Sequence, residues 1–151
     1  MKRVLSILFI CLILLTLTSC KKFEKIKEVD YTNMFSQGED YYVYIYKPNC
    51  AVCERIQDDI YEYFKSTKKD DSLLKIYRYN KGIKENYDAI KCKDYDSDDM
   101  CIYNYVGAKS PEEISCNSSP VLIRITSGVV VSAFDEATLI LNELFGEDYG
   151  Q

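Results

Sequence analysis

Two cysteines with two residues between them, Cys50 and Cys53, are the side chains of this 151-residue chain best placed to do chemistry together. A thiolate attacks a disulfide, and a second thiol one helical turn on can then displace the first from the mixed disulfide. The same spacing also serves half of a zinc site or a short structural disulfide. Zinc asks for a second ligand pair at similar spacing. The chain has no histidine, and its later cysteines stand apart at 92, 101 and 116, so the ligand count argues against zinc. Cu(I) on Cys50 and Cys53 is a further reading, and the lack of histidine and of a methionine near the pair counts against it.

The flanking residues say how the pair is mounted. Residues 41–46 read Tyr-Tyr-Val-Tyr-Ile-Tyr, a β-branched and aromatic run suited to a buried strand. Pro48 and Asn49 end it. From Cys53 onward Ile56, Ile60, Tyr63 and Phe64 recur at helical spacing and form one apolar face. Cys50 therefore falls at or just before a helix N-terminus. Unpaired N–H groups and the positive end of the dipole favour an anion there, and Arg55 adds positive charge nearby. Cys50 is expected to ionise more readily than a free cysteine and to act as the nucleophile, with Cys53 as the resolving thiol.

The first 19 residues read as a targeting segment. Lys2 and Arg3 precede an apolar run that is short for a membrane span, and Leu17-Thr-Ser-Cys20 closes it. That ending resembles a bacterial lipobox, in which the cysteine becomes the acylated mature N-terminus, so Cys20 is the expected lipidation site. An uncleaved anchor is the alternative. Either way the basic residues stay inside and the rest of the chain is exported, tethered to the membrane on its outer face. Export suits a chain rich in cysteine, because disulfides persist in oxidising compartments. Residues 20–38 are expected to be a lipidated tether and 39–151 one domain, with the sparse apolar residues Phe23, Ile26, Val29, Met34 and Phe35 leaving room for a short helix or strand near the domain edge. With 24 acidic against 19 basic residues, nucleic acid and an electrostatic grip on anionic lipid are disfavoured.

Further along, a polar loop at 65–72 leads to a second strand at 73–79. Strand, helix and strand in that order suggest a parallel pair. Residues 87–93 and 99–106 each read as a short helix on either side of an acidic loop. That loop lacks the glycine and the terminal glutamate of a calcium-binding loop, so a solvated surface is expected. Ser110, before Pro111, and Asp135 are read as helix caps. Between them, 121–125 and 129–133 form a hairpin about the turn at 126–128. Leu139, Ile140, Leu141, Leu144 and Phe145 make the apolar face of a last helix.

This order of elements, together with Cys50-Ala-Val-Cys53 and Ser119-Pro120-Val-Leu-Ile before a hairpin, resembles the thioredoxin superfamily. The resemblance covers most of 41–145. It implies an α/β fold with a central mixed sheet flanked by helices, with a helical insertion before the C-terminal hairpin. It also implies a cis bond at Ser119-Pro120, facing the cysteine pair, where the backbone pairs with a bound substrate chain. Asn49 stands where thioredoxins carry a tryptophan. Ala51-Val52 replaces Gly-Pro, and Tyr44 occupies the place of a buried acid. The chain is also similar to small thioredoxin-like proteins found beside bacteriocin export systems.

The expected activity is dithiol–disulfide exchange with protein substrates and a redox partner, by a monomer without cofactor. The alternative is a binding lipoprotein in which Cys50–Cys53 is a static staple. Of the other cysteines, Cys92–Cys101 is the favoured structural pair, because the intervening loop is short and polar. Cys101–Cys116 and Cys92–Cys116 stay open as rivals.

Overall fold

The computed structural model describes residues 22–96, 100–147 and 149; the expected signal segment and Cys20 lie outside them. At its centre runs β2 (Asp40–Tyr46), with every residue from Tyr41 to Ile45 buried. Successive side chains of a strand point to opposite faces. Tyr41, Val43 and Ile45 enter one core, while Tyr42 and Tyr44 enter the other. A strand covered on both faces has no solvent side, which is why its sequence is an unbroken apolar run.

β3 (Lys75–Asn80) pairs parallel with β2, reached by the helical crossover α1 (Ala51–Ser66). β4 (Val121–Thr126) pairs antiparallel on the other side of β2, and β5 (Val129–Phe134) turns back along β4. β1 (Glu28–Val29) adds to the free edge of β3, giving the order β1-β3-β2-β4-β5. On one face α1 and α3 (Ala137–Phe145) contribute Ile56, Ile60, Ile140 and Leu144 to the core. On the other, α2 (Lys84–Ile90) and the segment after it contribute Ile90, Tyr105, Ile114 and Cys116. This is the mixed α/β architecture that the sequence implies.

Four local expectations are corrected. The domain does not begin at residue 39, because Phe23, Ile26, Val29 and Met34 are buried at 6%, 1%, 1% and 0% exposure. Phe23 packs edge-on against Tyr44 and Tyr46, with ring centroids 5.9 and 5.0 Å away, so the expected tether is part of the core. The second helix of the middle segment is absent from its described residues, and 97–99 lie outside the description. Tyr95 instead bridges to Cys101 and Asn104 to Ser115. The β-prone run Ile-Tyr-Asn-Tyr-Val at 102–106, next to a disulfide clip, favours extended backbone there. The first of the two helices begins and ends three residues earlier than the 87–93 reading. Neither expected cap acts as one: Glu136 rather than Asp135 precedes α3, and Ser110 makes no side-chain cap bond before the 3-10 turn Pro111–Glu113.

Candidate active site

Cys50 stands in the gap between β2 and α1. Asn49 before it has φ of 60°, a left-handed conformation that asparagine tolerates better than most residues. Cys50 itself is extended and is the N-cap of α1. Its carbonyl accepts the Glu54 N–H at 2.9 Å, and its sulfur accepts the Cys53 N–H at 3.2 Å. The sulfur thus fills the place a serine oxygen takes at an ordinary N-cap. Cys53, one turn on, is disulfide-bonded to Cys50, with Cα atoms 5.2 Å apart. Cys53 is only 4% exposed while Cys50 is half-buried, so Cys50 is the sulfur that an incoming group meets first. Arg55 is exposed on the same helix.

The Ser119-Pro120 bond is cis and leads directly into β4. Register along β2 sets Val121 opposite Ile45, which brings this bond level with the loop that carries Cys50. The Ser119 carbonyl oxygen is 3.6 Å from the Cys50 sulfur and the Ser119 hydroxyl is 3.9 Å from it. Cys50, Cys53, Ser119 and Pro120, chosen from sequence alone, therefore converge. Cys92 and Cys101 are bonded to each other elsewhere, with Cα atoms 5.8 Å apart, and clip the acidic loop. Cys116 is free and buried.

No family model matches the chain, and no curated protein matches it. Solved structures do. Mitochondrial thioredoxin 3 from Saccharomyces cerevisiae, in its oxidised form, aligns at a TM-score of 0.52. The alignment covers 82% of this chain and 96% of that one, at 12% identity. A chain from a structure on thiol resolution in yeast mitochondrial 1-Cys peroxiredoxin via glutathione/thioredoxin systems aligns at 0.51. It covers 81% of this chain and 95% of that one, at 11% identity. The chain has a thioredoxin fold.

Within this thioredoxin fold a cleft of about 430 Å³ opens beside Cys53, walled by Phe23, Tyr44, Tyr46, Pro48 and Arg78 among others. Tyr44 is fully buried, and its hydroxyl has no hydrogen-bond partner among the described residues. Burial holds its pKa well above the ordinary tyrosine value, so it stays neutral where a carboxyl stands in thioredoxins. Arg78, also on the cleft, donates from Nε to the Ile26 carbonyl at 3.0 Å and pairs with Glu28 at 3.4 Å.

Sequence reading missed a second group of polar residues behind the cis bond, namely Lys81, Tyr105 and Ser118. Tyr105 places its hydroxyl 3.4 Å from both the Cys116 sulfur and the Ser118 hydroxyl. Lys81 sits in Asn80-Lys-Gly82, whose residue types are those of a turn, and no sequence signal marks it as buried.

Gly82 supports the cysteine loop from below. A Cβ there would lie 2.6 Å from Pro48 Cδ and 3.0 Å from Asn80 Oδ1. The proline ring cannot rotate away, so the loop has to shift. Gly82→Ala is expected to cost about 1–3 kcal/mol of stability, the usual range for overpacking. Urea unfolding measures that cost, and an unchanged midpoint would show that the loop gives way freely.

Proposed function

We propose that this protein is a thiol–disulfide oxidoreductase held on the outer face of a bacterial membrane by a lipid on Cys20. The observation that carries the activity is the seat of Cys50: a half-exposed sulfur at a helix N-cap, with Ser119 beside it and Cys53 directly behind. The Cys53 N–H and the start of α1 together stabilise negative charge at the Cys50 position. The thioredoxin fold supports the reading, since it brings Ser119-Pro120 beside the sulfur where an extended substrate segment can pair. Anchoring and export rest on the lipobox-like ending at Cys20. Two disulfides in the domain suit an oxidising compartment.

In the reducing direction the Cys50 thiolate attacks one sulfur of a substrate disulfide and the other sulfur leaves as a thiolate. The Cys53 thiolate then attacks Cys50 in the mixed disulfide, and the substrate's second sulfur leaves. Two electrons pass to the substrate, its two thiolates take up protons, and Cys50–Cys53 ends oxidised. A protein redox partner reverses the change on the enzyme. The same steps run backwards oxidise a dithiol substrate. Neither step needs a cofactor, and both take place within one monomer.

Insulin reduction tests the reading. Purified protein with dithiothreitol is expected to precipitate the insulin B chain well before dithiothreitol alone does. A turbidity trace that overlays the dithiothreitol control would leave the Cys50–Cys53 bond as a static staple in a binding lipoprotein.

A further inference from the structure

Among the described residues Lys81 is the one charged side chain that is buried, at 4% exposure. A lysine is rarely buried without partners, and here the partners are specific. Its ammonium donates to the Cys116 carbonyl at 2.9 Å and to the Ser118 carbonyl at 3.2 Å, and it lies 3.8 Å from the Cys116 sulfur. Its backbone N–H donates to the Tyr46 carbonyl at 2.8 Å. The next residue, Gly82, lies beneath Pro48.

One residue therefore ties down both loops that meet at the candidate site. Its main chain holds the end of β2, from which the loop runs on to Cys50. Its side chain holds the segment that ends one residue before Ser119. Removing the ammonium takes this donor from both carbonyls. The Ser118 carbonyl keeps the Cys116 thiol at 3.2 Å, while the Cys116 carbonyl, on a fully buried residue, is left without a donor, which drives local rearrangement. Cys116 is tied by its N–H to the Ile90 carbonyl at 2.9 Å, so the rearrangement falls first on residues 117 and 118, which lie nearer the surface. Ser119, bonded directly to Ser118, moves with it.

We infer that Lys81 is a positioning residue for disulfide exchange, fixing residues 116–118 so that Ser119 is held against the Cys50 sulfur. The inference rests on the exchange reading above. Its reach beyond that reading is a third anchor, distant in sequence from both the cysteine pair and the proline.

Lys81→Met keeps the length and the apolar stem and removes the donors. The variant is expected to remain folded by near-ultraviolet circular dichroism. Its kcat/KM for insulin reduction should fall roughly tenfold, about 1.4 kcal/mol of transition-state stabilisation. Its Cys50–Cys53 equilibrium with glutathione should also shift. A folded K81M with wild-type kcat/KM and wild-type equilibrium would overturn the inference. Hydrogen exchange at the Cys116 amide, which donates to the Ile90 carbonyl at 2.9 Å, reads the positioning whether or not the wild-type protein is active. Faster exchange in K81M supports it, and unchanged exchange overturns it. If K81M does not fold, K81Q takes its place with the same readouts, since glutamine is one atom too short to span both carbonyls. An inactive wild-type protein would instead refute the exchange reading, while the amide measurement would still decide the role of Lys81.

Discussion

Cys50→Ser should abolish disulfide exchange, with insulin reduction falling by roughly three orders of magnitude or more, to the dithiothreitol background. The argument is chemical and local. Cys50 is the half-exposed sulfur, and nothing else at the site can form the first mixed disulfide, because Cys53 lies behind it at 4% exposure. Serine is the informative replacement. It is a good N-cap, so its oxygen can accept the Cys53 N–H that the sulfur accepts now, and α1 should start as before. The closed loop spans only four residues, so loss of the bond should return about 2 kcal/mol of chain entropy to the unfolded state, less than a long-loop disulfide would. A folded but inactive variant is the expected result, read by the insulin assay beside circular dichroism. Retention of more than about a tenth of wild-type activity would move the nucleophile elsewhere.

The second large effect is of the opposite kind. Cys53→Ser should leave the first attack intact and remove the thiol that ends it, so mixed disulfides accumulate on Cys50. The expected outcome in a cell envelope preparation is a ladder of higher-mass adducts on a non-reducing gel, collapsed by reductant. The double variant lacking both cysteines should show none. Identification of the trapped chains by mass spectrometry names the substrates and the redox partner in one step. If C53S forms no more adducts than the double variant, Cys50 is not presented to protein disulfides.

The site was legible because its residues are neighbours in sequence or carry strong punctuation. The Tyr41–Tyr46 run, the break at Pro48-Asn49 and the apolar spacing after Cys53 mark strand, turn and helix within 25 residues. Ser119-Pro120 was found because a proline opening a strand beside a cysteine pair is a feature of the thioredoxin resemblance. The hairpin at Ser127-Gly128 announced itself through turn residues between β-branched runs. What escaped depends on distant partners. Phe23 reads as one of a few sparse apolar residues in a charged stretch, fit at most for an edge element, until the rings of Tyr44 and Tyr46 are known to wait for it. Residues 100–106 have an apolar pattern short enough to suit helix or strand, and the bridge from Asn104 to Ser115 decides for the extended form. Lys81 sits in a turn, and turns are usually solvated; only the fold shows that two carbonyls from 35 and 37 residues away surround its ammonium.

The most direct test of the account is the reduction potential of the Cys50–Cys53 pair, measured by equilibration with glutathione buffers and alkylation of the free thiols. An exchange enzyme needs a bond that opens and closes against biological partners, so the value should lie between about −270 and −120 mV. A pair that stays oxidised below about −300 mV, with no exchange into the glutathione pool, would make the bond structural and contradict the account.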